Sequence, residues 1–142
     1  MLTERRWPFG TSGVMFLMVV TCNAMGQIVP TAMELVQLPK FCYGKANVPN
    51  ATGPEFNLPS QSECGPGTNH YCSGLIHLNR AKASGNKSKA LSELGQAEGH
   101  ISYTEEWIKP FPNCSLRDHV AASKAEVNAL RAAYGAKPAG KK

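Results

Sequence analysis

Four histidines (His70, His77, His100 and His119) and five cysteines (Cys22, Cys42, Cys64, Cys72 and Cys114) are the side chains whose types could support catalysis, metal binding or redox work. His70 and His77 stand one heptad apart and so share a helix face, where two imidazoles could act as acid and base with Glu98 or Asp118. No Ser or Cys nucleophile motif and no paired carboxylates accompany them. Each therefore reads as a helix-end or surface histidine, and no catalytic residue is expected. Cys64, His70, Cys72 and His77 lie close enough in sequence to raise zinc. The set lacks a Cys-x2-Cys or His-x3-His pair, and Cys72 and His77, five apart, point away from each other on a helix. No metal ligand is expected. Without Cys-x-x-Cys or Cys-x-x-Cys-His, neither a thioredoxin-like site nor covalent haem is supported, and no cofactor is expected.

The oxidation state of those cysteines depends on compartment. Arg5 and Arg6 precede the apolar run Val14 to Val20, and small or polar residues follow to Gly26, the pattern of a secretory signal peptide over residues 1–24 cleaved after Ala24. The run is shorter than the roughly 20 residues a membrane span needs. Val19, Val20, Thr21 and Cys22 also resemble a lipobox, so the alternative is a surface lipoprotein held to the membrane by Cys22. The expected location is the periplasm or the medium. Without the leader the chain loses Arg5, Arg6 and Glu4, leaving 13 basic and 9 acidic residues, a net charge of +4. The basic residues are scattered apart from Lys137, Lys141 and Lys142, which gives no footprint for nucleic acid.

Export leaves Cys42, Cys64, Cys72 and Cys114, an even number facing an oxidising compartment, so two disulfides are expected. Four cysteines allow three pairings, and spacing does not choose among them. A Cys42 to Cys72 bridge would tie the extended segment Leu38 to Cys42 to the central helix, and is favoured on that ground. Cys64 would then join Cys114, stapling the turn at Gly65 to Gly67 to the one at Pro110 to Asn113.

These residues are set on three helices. Tyr71, Leu75 and Leu78 recur at helical spacing beside Cys72 and Ile76, predicting a helix from Thr68 or Asn69 to Ala83. Asn86 or Ser88 can cap a second, carrying Leu91, Leu94, Ile101 and Ile108 and stopped by Pro110 and Pro112. Gly95 and Gly99 weaken it, and their spacing would let another backbone approach. Ser115, with Asp118 three residues on, is the expected N-cap of a third helix, whose apolar stripe is Leu116, Val120, Val127, Leu130 and Tyr134, interrupted by Ser123. Gly135 is its expected C-terminal cap. Tyr71, Leu75, Leu78, Leu94, Ile101, Val120, Val127 and Leu130 are the predicted core. Residues 25–67, rich in proline and glycine, read as an irregular arm with a short strand or helical turn at Thr31 to Gln37, anchored by Phe41, Tyr43, Phe56 and Leu58. Residues 68–135 form the helical domain, and 136–142 a disordered tail.

Helix, turn, helix, proline-containing turn and helix is an arrangement that resembles the tetratricopeptide repeat. Gly74 looks like the small residue of the first repeat helix, Ala90 or Ala97 like those of the second, and Pro110 or Pro112 like the closing proline. The segments Leu38-Pro39-Lys40-Phe41-Cys42 and His70-Tyr71-Cys72-Ser73-Gly74-Leu75-Ile76-His77-Leu78-Asn79-Arg80-Ala81 are similar to those of a group of exported bacterial proteins with tetratricopeptide-like helices. The resemblance implies an all-α fold, a short antiparallel hairpin plus a third helix behind a disulfide-tethered arm, and a binding scaffold rather than an enzyme. One and a half repeats bury little, so the third helix should receive the arm as a cap or complete its core on a partner. The expected partner is another protein or peptide, or a second copy, with Arg80, Lys82, Tyr103 and Trp107 as rim and anchor residues. A small hydrolase or metal-dependent enzyme using His70 and His77 is the alternative.

Overall fold

The computed structural model describes residues 28–46 and 48–136. The leader, the lipobox at Cys22 and the tail from Lys137 lie outside the described residues. Three helices carry the fold: α3 (Asn69–Ala83), α4 (Lys87–Ile108) and α5 (Arg117–Ala133). Two single-turn helices, α1 (Ala32–Leu35) and α2 (Gln61–Cys64), and three 3-10 turns punctuate the arm, and no strand occurs among the described residues.

α3 and α4 run antiparallel, as His77 of α3 meets Glu93 early in α4, while Gly67, just before α3, lies against Trp107 near the end of α4. Asn86 starts α4 by accepting from the backbone N–H of Lys89. Its far end is closed by a residue that sequence periodicity does not reveal. The Arg117 guanidinium donates to the carbonyls of Ile108, Lys109 and Phe111, giving the last turn's orphan acceptors a cationic partner. α5 returns antiparallel to α4, with Arg131 paired to Glu98 at 3.2 Å and Lys124 paired to Glu105.

Tyr71, Leu78, Leu94, Ile101, Leu116, Val120 and Val127 are fully buried between the three helices. Two predicted core positions, Leu75 and Leu130, are only half-buried at its edge. Leu75 faces the boundary between this core and a second one made with the arm. Ser123 breaks the apolar stripe of α5 because it hydrogen-bonds the Tyr71 hydroxyl at 2.8 Å, while Tyr71 donates to the His119 carbonyl. The expected Ser115 cap of α5 does not form: Ser115 donates to Glu63 of α2 instead, and Leu116 stands at the N-cap position of α5 with no side-chain bond. Gly135 does end α5, with φ at +69° and paired bonds from Gly135 N to Ala132 O and Ala136 N to Arg131 O. Gly95 and Gly99 face open space rather than another backbone.

Both disulfides are formed, Cys42 to Cys72 and Cys64 to Cys114. The first fastens the arm to α3, where Leu38, Cys42, Cys72 and Ile76 make the second buried cluster, flanked by Ile28, Leu35, Tyr43 and Leu58. Between Thr31 and Gln37 the chain forms the helical turn Ala32–Leu35 and no strand, since Thr31 and Glu34 cap α1 reciprocally. Glu34 also accepts from Arg80 of α3 (2.5 and 3.2 Å), a second tie between arm and helix. The arm therefore covers α3, and reaches α5 through Phe41, whose ring meets His119 edge-on with centroids 5.4 Å apart.

Candidate functional site: a histidine-lined cleft between the arm and the helices

The site begins with Gly74. A Cβ there would lie 2.8 Å from Ile101 Cγ1 and 3.3 Å from His100 Cβ, so the missing side chain is what allows α3 and α4 to approach this closely. That approach brings His100 of α4 between His70 and His77, which lie one turn to either side of Gly74 on α3. The rings of His77 and His100 stack with centroids 5.6 Å apart and planes 10° from parallel. His70 and His100 face each other across 3.1 Å between their Nδ1 atoms, one donating and the other accepting. His77 Nδ1 meets Glu93 Oε2 at 2.6 Å.

Three histidines are thus joined in a row, contrary to the expectation of separate helix-end or surface side chains. His77 is buried, with 9% of its surface exposed. His70 and His77 share the face of α3 that their seven-residue spacing predicts, whereas His100 joins them only because the helices cross closely at a glycine. His119 lies apart, against Phe41.

The row lines a cleft of about 790 Å³ between arm and helices. The arm lines it with Ile28, Val29, Pro30, Leu38 and Lys45, and the helices with His70, Ser73, Ile76, His77, Gln96 and His100, so that apolar and polar groups are mixed on both. Lys45 Nζ donates to the carbonyl of Asn69 at 2.8 Å, which keeps its ammonium at the first turn of α3. Burial lowers the pKa of His70, and the Lys45 charge adds to this. His100 is lowered by burial first and then by the neighbouring His77, His70 and Lys45. Burial also lowers Lys45. Both imidazoles are accordingly held toward their neutral forms. That suits the Nδ1 to Nδ1 bond, which cannot survive protonation of both rings.

Beyond His70 the row continues as an aromatic ledge. Tyr103 packs on His70 (centroids 4.3 Å apart) and Trp107 on Tyr103 (6.1 Å). These two are 44% and 42% exposed, although Trp107 also lies over the backbone of Gly67. Of the four residues proposed from sequence, Tyr103 and Trp107 are brought together and adjoin the cleft. Arg80 is engaged with Glu34, whose carboxyl it pulls down to about 2. Lys82 pairs with Glu126 of α5 at 3.0 Å, away from the ledge. The arm contributes exposed apolar side chains that its composition does not single out, Val29, Met33 and Val36, of which Val29 lines the cleft. Among the described residues no group of three His, Cys, Asp or Glu side chains is arranged to hold a metal ion. No helix among them is long and apolar enough to cross a membrane. No protein-family description, curated protein or solved structure matches the chain.

Proposed function

We propose that this is an exported binding module of tetratricopeptide-like helices that holds a segment of another polypeptide in the cleft between arm and helices. The observation that carries the reading is the cleft: its size is that of small-ligand sites, and its lining combines apolar residues with a few polar and titratable ones. Exposed Tyr103 and Trp107, which continue the row beyond His70, extend it into a surface carrying the aromatic residue types that anchor interfaces. Two disulfides fit residence in the periplasm or medium, and they leave none of Cys42, Cys64, Cys72 and Cys114 as a thiolate nucleophile. On this reading the protein acts by binding, not by catalysis.

The test is selection of random peptides on the oxidised protein, followed by affinity measurement against a Tyr103→Ser, Trp107→Ser double variant whose fold is checked by circular dichroism. Peptides that bind wild type and lose about tenfold or more on the variant support the reading, since interface aromatics commonly carry 2 kcal/mol or more. Selection of no peptide, or equal binding to both proteins, overturns it.

A second reading rests on the pair His77 and Glu93, because a carboxylate that orients an imidazole is the arrangement of a general base. It requires hydrolysis of ester or peptide substrates by wild type that is abolished in His77→Gln.

A further inference from the structure

The cleft has an electrostatic asymmetry. Around the His70 and His100 pair stand Lys45 from the arm, His77 from α3, and Tyr103 and Gln96 from α4. No Asp or Glu side chain is among the cleft's lining residues, and the carboxylate bonded to the row, Glu93, is engaged by His77 and near the Arg80 guanidinium. Lys45 spends one N–H on the Asn69 carbonyl, and an ammonium has three to give. α3 begins beside it, and the N-terminal end of a helix of 15 residues carries partial positive charge. A cation entering here would confront Lys45, whereas an anion would find a fixed charge, imidazole donors and a favourable dipole.

We propose that the cleft recognises its ligand through a carboxylate, seated between Lys45 and the His70 and His100 pair, with an adjoining apolar group against Ile28, Val29 and Pro30. This deepens the peptide-binding reading and rests on it for the identity of the ligand, which becomes an acidic peptide with an apolar neighbour to its carboxylate. Two facing imidazoles held neutral in the free protein gain a counter-charge when the carboxylate arrives. Binding therefore takes up a proton, and affinity rises as pH falls from about 7.5 toward 5.5, by up to about tenfold per pH unit for each proton taken up.

The experiment uses the oxidised protein and two small probes that differ only in charge, hexanoate and hexanamide, read by the imidazole Hε1 resonances in NMR. Hexanoate is expected to shift the His70 and His100 signals and raise their titration midpoints, while hexanamide does neither. Lys45→Met should weaken hexanoate about tenfold, the loss expected for one charge-assisted contact, and Lys45→Arg should restore most of it. His100→Gln should flatten the pH dependence. If hexanamide shifts the signals as much as hexanoate, or neither probe shifts them, the carboxylate site is overturned whatever peptides do. If hexanoate behaves as expected but random peptides yield no binder, the peptide reading fails and the carboxylate site stands. Among selected peptides, replacing the acid by its amide should cost about tenfold. An unchanged affinity means that apolar contacts alone read the ligand, and overturns the inference.

Discussion

Gly74 decides how near α3 and α4 lie, and with that whether the three histidines meet. Gly74→Ala removes about 1 kcal/mol of glycine penalty from the helix but drives a methyl into fully buried Ile101, where overpacking costs about 1–3 kcal/mol. The expected net result is a lower denaturation midpoint and loss of the His70 to His100 bond, visible as a change in the titration of both imidazoles. The histidines themselves set a pH dependence. Their folded pKa values lie below the ordinary 6.5, so between 6.5 and the folded values the unfolded chain binds more protons. Stability is full above 6.5 and declines as pH falls through that window, which a urea midpoint measured at pH 7.5 and 5.5 will show. His70→Gln with His100→Gln should reduce the decline. In the sequence, Gly74 was legible as the small residue of a helix contact. His100 was not, because its partnership depends on the crossing of two helices rather than on spacing within one.

At the scale of elements, the helix boundaries followed local chemistry wherever that chemistry had no competitor. Asn86 and Gly135 stand at the ends they were expected to mark, since nothing else contends for the Asn86 side chain or the left-handed backbone at Gly135. Ser115 failed as a cap because Glu63, brought near by the Cys64 to Cys114 bridge, takes its hydroxyl. Arg117 was unreadable for a similar reason: its three carbonyl acceptors come from the end of a different helix. Gly95 and Gly99, expected to admit another backbone, are exposed on α4 with nothing against them. Replacing both by alanine should therefore stabilise the protein by about 1–2 kcal/mol, read as a rise in thermal midpoint with the peptide and hexanoate affinities unchanged.

The whole molecule is a helical layer made usable by its arm. The two disulfides were legible in outline, because the cysteine count and leader pattern implied oxidation, and joining the arm to the central helix was reason enough to favour one pairing. The arm's course was less legible. It covers α3 rather than capping α5, since its apolar residues Leu35, Leu38 and Tyr43 meet Ile76 and Cys72 there, while α5 offers the arm chiefly His119. Cys42→Ser with Cys72→Ser should cost about 2–4 kcal/mol and free the arm's side of the cleft, so hexanoate and peptide binding should weaken well before the helices melt by circular dichroism.

Whether a polypeptide occupies the cleft is decided by site-specific photo-crosslinking. A photoreactive phenylalanine analogue at position 103, on the cleft ledge, is compared with the same group at position 128, exposed on α5. The protein is expressed in the cells that make it and irradiated there. A discrete adduct from position 103 that a selected peptide competes away, and none from position 128, is the expected result. Adducts of equal yield from both positions, or from position 128 alone, would contradict it.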